Sequence, residues 1–244
     1  MFNWLSFRKK ELERISFSVL GTDIHSHLIP AIDDGSPDIE TSINLIKELK
    51  NLGYNKIITT PHVMSDFYQN DSSIILKGLK SLSDEIRNQS IDIEILAAAE
   101  YYVDFDFEAK ISKDKFLTFG ENYILIELSF AEPPPNLYDI IFKLQLEKYK
   151  VILAHPERYM YFEYDEYQDL VNRGVFLQIN VLSMIGYYSP IIQKKTEELI
   201  NNDFVSFVGT DCHNIEQAKL YKKCQKSRLW HNLISRDTLL NHTL

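Results

Sequence analysis

Lys56-Ile57-Ile58-Thr59-Thr60-Pro61-His62 is a short β-branched run that stops at a proline and a histidine. β-Branched residues fit the pleated surface of a strand, and the run is too short for a helix. On its N-terminal side, Ser36-Pro37-Asp38 reads as a helix start. Ser36 suits the N-cap, Pro37 the first turn, and Asp38 the positive end of the dipole. Ile39, Ile43, Ile46 and Leu49 then recur at helical spacing until Gly53. Before that helix, residues 19–27 read as another strand. After the quoted run, residues 74–87 read as a helix and 91–97 as a strand.

The alternation continues to the C-terminus. Strands are predicted at 123–128, 151–154, 175–179 and 204–209, and helices at 137–149, 164–173 and 191–200. The helix from Leu137 follows Pro133-Pro134-Pro135, which cannot extend a regular element backwards. Seven strands alternating with helices predict parallel β/α units in a single domain. The expected fold is α/β, a barrel related to the eight-unit one. An open doubly wound sheet is the alternative, but no glycine fingerprint for a dinucleotide supports it. Residues 19–244 are taken as the domain and 1–18 as an N-terminal segment.

Composition narrows the function. Of 244 residues, 45% are hydrophobic and 25% charged, as in a soluble globular chain with a sizeable core. The net charge of -9 argues against nucleic acid as the main partner, because phosphate backbones recruit basic surfaces. A phosphorylated substrate stays open, since a local metal site can outweigh the global charge. Cys212 and Cys224 are the only cysteines, so neither a disulfide framework nor a zinc–thiolate site is expected. A reducing, cytoplasmic setting is the simplest reading. No apolar run reaches the ~18 residues of a membrane span. Phe2, Trp4, Leu5 and Phe7 precede Arg8, Lys9 and Lys10, the reverse of a signal peptide's order. Aromatic plus basic residues suit a weak membrane-surface contact. The segment is short, and packing on the barrel or fraying is the reading adopted.

Chemistry collects at the strand ends. The first strand ends in Asp23-Ile24-His25-Ser26-His27, where residues two apart project to one side, and Asp33-Asp34-Gly35 follows. The second runs into His62, the third into Glu100, and the fourth carries Glu127. The fifth ends in His155-Pro156-Glu157-Arg158-Tyr159, the sixth in Gln178-Ile179-Asn180, and the seventh in Asp211-Cys212-His213. In β/α barrels these ends open onto one face, where active sites lie. The converging set is His25, His27, Asp34, His62, Glu100, Glu127, His155, Asp211 and His213. His231 and His242 fall outside it and read as surface residues. Imidazoles and carboxylates without thiolate suit zinc, manganese or iron rather than calcium. Nine ligands exceed one tetrahedral ion, so two or three ions are expected. Each element alone has a plainer reading: Asp33-Asp34-Gly35 as a turn, Asp211-Cys212-His213 as a cap, Glu127 as a buried carboxylate held by an arginine. Joint placement decides against them, because burying unpaired carboxylates is costly and metal ions offset that cost.

These residues resemble the PHP (polymerase and histidinol phosphatase) superfamily, from Asp23 to about Asn214. Its signatures here are His25-x-His27, Thr60-Pro61-His62, Glu100, His155 and Asp211-x-His213. The stretches 23–30, 32–35, 126–129 and 155–159, then Leu177-Gln178-Ile179-Asn180 with Ser183 and Gly186, are similar to one branch. That branch is the bacterial manganese-dependent protein-tyrosine phosphatases encoded with capsule and exopolysaccharide genes. The resemblance implies a distorted seven-stranded β/α (TIM-like) barrel of PHP type with a trinuclear site. It assigns the nine residues as ligands, with Asp34 rather than Asp33 among them, and gives Arg158 to the substrate phosphate. Manganese is the implied metal, iron or zinc being compatible, and a phosphotyrosine protein is the implied partner, namely a tyrosine kinase controlling polysaccharide export. Two other readings are a phosphoesterase acting on a small metabolite such as histidinol phosphate and a non-catalytic binding module. A metal-dependent amide hydrolase also fits the fold, which does not choose the chemistry.

The chain departs from the family pattern in two places. Cys212 stands where small residues are common. A second arginine expected after the last histidine is replaced by Ala218-Lys219-Leu220 and Lys222-Lys223, with Arg228 beyond. Lys219 or Lys222 would lack arginine's planar fork. Neither cysteine sits in a Cys-x5-Arg phosphate loop, so no cysteine nucleophile is expected. Of Tyr159, Tyr161, Tyr164 and Tyr167, the first two are candidates for an aromatic wall at the substrate mouth, whereas Tyr164 and Tyr167 read as helix and loop packing.

Overall fold

Apolar strand segments separated by helices pair in parallel throughout. The computed structural model describes residues 12–244, so the aromatic and basic stretch in residues 1–10 lies outside the described residues. Three strands, β1 (Thr22–Asp23), β2 (Lys56–Thr59) and β4 (Glu94–Ala97), form one sheet in the order β1-β2-β4. The second sheet runs β3-β5-β6-β7-β8-β9. Its strands are β3 (His62–Val63), β5 (Glu100–Tyr102), β6 (Tyr123–Glu127), β7 (Lys150–Ala154), β8 (Phe176–Asn180) and β9 (Val205–Gly209). Every pairing between these strands is parallel, and neither sheet closes on itself.

Nine strands therefore stand among the described residues where seven are expected. The two additions are kinks. Pro61, which has no N–H to donate, separates β2 from β3, and Ala98-Ala99 separates β4 from β5. Backbone bonds continue across the breaks: Ala98 N–H to Thr59 O (2.9 Å), Glu100 N–H to Pro61 O (3.1 Å) and Thr60 N–H to Ser26 O (2.7 Å). Beyond β1 and β9, Ser26 and Cys212 form an isolated parallel bridge, flanked by Asp211 N–H to His25 O (2.7 Å) and His27 N–H to Cys212 O (3.0 Å).

The helices are α1 (Ile39–Leu52), α2 (Ser72–Asn88), α3 (Phe107–Lys110), α4 (Leu137–Leu146), α5 (Tyr164–Asn172), α6 (Pro190–Asn201), α7 (Ile215–Cys224) and α8 (Arg228–Ile234). No helix among the described residues is long and apolar enough to cross a membrane. The start of α1 differs from the expectation. Asp38, not Ser36, is the N-cap, accepting from Thr41 N–H at 2.7 Å, while the Ser36 hydroxyl donates to Asp38 O. The first strand is also shorter than expected, because Val19 lies in a 3-10 turn (Phe17–Val19) and Gly21 takes φ 71°.

Period-two alternation divides the core. In β6, Ile124 and Ile126 pack in the large cluster shared with the helices, whereas Leu125 joins Ile24, Ile58, Ile152 and Phe207 in a small cluster on the other face. Phe17 is fully buried against Tyr54 and edge-on to Trp230 (5.1 Å), whose indole N–H bonds Ile15 O. Gly209, at the end of β9, leaves no room for a side chain. A Cβ there would stand 2.5 Å from His25 Cβ and 2.9 Å from Gln178 Nε2. Gly209→Ala is expected to cost about 1–3 kcal/mol by overpacking, read as a lowered midpoint in urea unfolding. An unchanged midpoint would mean that His25 has room to move.

Candidate metal centre

All nine sequence-predicted ligands come together on one face, at or beyond the carboxyl ends of β1, β2, β4, β6, β7 and β9. Glu100, at the start of β5, is completely buried at the centre. Its Oε2 lies 3.2 Å from His25 Nε2, 3.4 Å from His27 Nε2 and 3.1 Å from His62 Nδ1, and its Oε1 is 3.1 Å from His155 Nε2. Glu127 meets His62 (3.6 Å) and His155 (3.4 Å). Asp211 Oδ1 is 3.5 Å from His25, His27 and His213. Asp34, half exposed at the rim, approaches His62 and His213. His231 and His242 stand apart from this network: His231 bonds Glu13 O, and His242 is exposed.

Position, not only residue type, prepares these groups. His155 and Asp211 both hold left-handed backbone (φ 33° and 53°), a conformation costing roughly 1–3 kcal/mol outside glycine. Three imidazoles are turned by a partner on the far nitrogen. His27 Nδ1 bonds Asp33 (2.8 Å), His25 Nδ1 bonds Gln178 Oε1 (2.7 Å), and His213 Nδ1 bonds Asp211 O (2.9 Å). Their Nε2 atoms are left to face the acids, the arrangement that orients metal-binding histidines. Asp33 thus sits behind His27 and also accepts from Gly35 and His62 N–H. Gln178 and Asn180 continue the chain inward: Gln178 donates to Asn180, and Asn180 donates to Asp211 Oδ2 at 2.6 Å. The Gln-x-Asn spacing at a strand end was the signal for this pair, since residues two apart share a face.

Electrostatics follow from burial and crowding. Burial pushes Glu100 and Asp211 upward, but the surrounding histidines win and hold both well below the usual carboxylate range. His155 resists burial and the nearby Arg158 through bonds to Glu100 and Glu127, which push it up to about 9. Burial prevails at His62 and lowers it. Asp33 overcomes burial through His27 and falls to about 2.

The donor set fits divalent cations. His155 Nδ1 is buried without a hydrogen-bond partner, and His62 Nδ1 and Glu100 Oε2, 3.1 Å apart, form no well-directed hydrogen bond, so these buried donor atoms are left available to a cation. Three overlapping groups of donors can each hold an ion: His27 with Asp34, His62 and His213; His25 with His27 and Glu100; His62 with Glu100 and Glu127. Nitrogen and oxygen donors without sulfur suit manganese, iron or zinc.

A cavity of about 330 Å³ opens above this cluster, lined by Asp34, His62, Glu127, His155, Arg158, Tyr188, Asp211, His213, Asn214 and Gln217. Among the described residues, Arg158 is the one cationic side chain lining it besides the histidines. The guanidinium lies 4.4 Å over the Phe130 ring and 4.8 Å over the Tyr188 ring, with Nη1 3.5 Å from Asp211 Oδ2. From α7 the cavity receives Gln217 and, at its N-cap, Asn214. Lys219, Lys222 and Arg228 are exposed and do not line it. The aromatic wall also differs from expectation. Tyr159 and Tyr167 are buried, their hydroxyls bonding Leu128 N–H and Pro156 O, and Tyr161 bonds Ser129 O. Tyr164 packs near Phe204, at another pocket. Tyr188 lines the cavity instead, Phe130 packs on the other side of the Arg158 guanidinium, and neither carried a local sequence signal. Cys212 is fully buried, and burial pushes its thiol up to about 12, so it offers no nucleophile to the cavity.

The chain is 28% identical over 202 residues to the tyrosine-protein phosphatase YwqE of Bacillus subtilis (82% of this chain, 80% of that one). It is 25% identical over 207 residues to the tyrosine-protein phosphatase CpsB of Streptococcus pneumoniae (82% and 85%). A crystal structure from work on YwqE from Bacillus subtilis and CpsB from Streptococcus pneumoniae, described as unique metal-dependent tyrosine phosphatases, aligns with TM-score 0.78 at 27% identity, covering 88% of this chain and 91% of that one. The model of the family described as capsular polysaccharide synthesis, CpsB/CapC, matches residues 21–228, and the chain belongs to that family.

Proposed function

We propose that this chain is a metal-dependent protein-tyrosine phosphatase whose substrate is a phosphotyrosine protein, namely a tyrosine kinase of capsular or exopolysaccharide synthesis. The observation that carries the reading is Glu100 set among four imidazoles beneath a cavity whose mouth holds Arg158. Relatives in the family are tyrosine-protein phosphatases, which favours this substrate over a small metabolite. A cytoplasmic setting is proposed with it, supported by two cysteines that are both free.

The two sheets are read as one distorted seven-stranded barrel over residues 19–244. The backbone bonds across the kinks and the Ser26–Cys212 bridge support it. Three ions, manganese first, are proposed, supported by five imidazoles and four carboxylates gathered at one site, more donors than a single ion takes. His25, His27, Asp34, His62, Glu100, Glu127, His155, Asp211 and His213 would hold them. Bound divalent ions supply Lewis acidity and a nucleophilic water at neutral pH. Arg158 grips the phosphoryl oxygens and stabilises the charge that develops on them. Its stacking on Phe130 and Tyr188 keeps the guanidinium aimed at the cavity. Asp33 and Gln178 hold the His27 and His25 rings in place. The leaving phenolate has a pKa of ~10 and requires little proton assistance.

The test is phosphate release from a phosphotyrosine peptide by the protein after chelation and after reloading with manganese, with histidinol phosphate in parallel. Turnover on phosphotyrosine restored by metal and indifferent to thiol alkylation is expected. Turnover on histidinol phosphate alone would replace the substrate, and turnover surviving complete metal removal would overturn the mechanism. Asp33→Asn removes the charge behind His27. Metal affinity is expected to fall about 10–100-fold, measured by competition with a chelating indicator dye. Wild-type affinity would reduce Asp33 to a turn residue.

A further inference from the structure

We infer that Phe130 is a specificity-determining residue: one face seats Arg158, and the exposed remainder receives the phenyl ring of the substrate. This rests on the phosphotyrosine reading above. Phe130 follows β6 in a loop whose far end is Pro133-Pro134-Pro135, and proline's fixed φ stiffens that loop. The stem is tied down by Tyr161, whose hydroxyl donates to Ser129 O at 2.8 Å, and by Tyr159, whose hydroxyl accepts from Leu128 N–H at 2.9 Å. The Phe130 ring stacks on Tyr159 (5.7 Å), lies 5.7 Å from His155, and carries the Arg158 guanidinium at 4.4 Å. It is nonetheless 45% exposed.

Other rings of the chain are more exposed, but Phe130 is held from several sides and lies against Arg158 and His155, so its open part offers a stacking surface beside the chemistry. In phosphotyrosine the phenyl ring begins one oxygen away from phosphorus. A phosphoryl group gripped by Arg158 therefore sets that ring beside whatever is stacked on Arg158. Two aromatic rings gain from offset or edge contact beyond simple burial. The narrow chain of phosphoserine or phosphothreonine would leave Phe130 uncovered.

The experiment measures binding of phenylphosphonate and methylphosphonate to the manganese-loaded protein by calorimetry. Both probes carry the same phosphoryl end, so any loosening of Arg158 weakens both and cancels in their ratio. Wild type is expected to prefer the phenyl compound. Phe130→Ala is expected to lower the ratio roughly tenfold, and Phe130→Tyr to keep it. A ratio unchanged in Phe130→Ala, or absent in wild type, overturns the inference while leaving the phosphatase reading intact. Binding of neither probe by wild type overturns the phosphatase reading and this inference with it.

Discussion

Glu100→Gln is expected to strip the protein of metal and to lower kcat/KM on a phosphotyrosine peptide by about 10²–10⁴-fold. That range corresponds to the several kcal/mol a catalytic metal supplies, at 1.36 kcal/mol per decade. The substitution preserves shape and removes charge. Both Glu100 oxygens face histidines, Oε2 within 3.4 Å of three and Oε1 3.1 Å from His155. An amide keeps one weak oxygen donor and places an NH2 group, which cannot ligate, where the other oxygen stood. Elemental analysis after desalting gives the metal content, steady-state assay gives kcat/KM, and circular dichroism shows whether the fold persists. Wild-type metal content together with wild-type turnover would remove Glu100 from the centre of the site.

Arg158→Lys separates substrate binding from metal binding. It is expected to lower kcat/KM by about 10²–10³-fold while metal content stays at the wild-type level. Lysine keeps the positive charge but loses the planar fork that meets two phosphoryl oxygens at once. It also loses the flat stacking between Phe130 and Tyr188 that aims the group. Gln217 and Asn214, the neighbours from the α7 side of the cavity, are neutral and cannot take over that charge. A variant that loses metal as well would mean that Arg158 acts chiefly through Asp211, 3.5 Å away.

Much of this could be read along the chain. The alternation of strand and helix, the helix stops, and the residue types at each strand end are local features, and the nine candidate ligands taken from them all meet in space. Local reading failed where two plausible groups compete for one role. Ser36 and Asp38 both suit an N-cap, and only the Thr41 amide, 2.7 Å from Asp38, decides between them. Pro61 was visible, yet its effect of splitting one strand into β2 and β3 depends on the sheet to which each half pairs.

The sequence by itself determined the kind of site: apolar strands ending in His, Asp and Glu, with an arginine after the fifth, because residue type and strand period are properties of short segments. Tertiary structure decided what holds those ligands in place. Asp33, adjacent to a predicted ligand, turns inward to hold His27, while Asp34 stays at the rim. Gln178, 153 residues beyond His25, orients its ring. Tyr159, expected as a wall of the mouth, is buried, and Tyr188 lines the cavity instead. These outcomes turn on distances of a few ångströms between segments remote along the chain. Hydrogen bonds and ring contacts act only at such distances, and packing sets them.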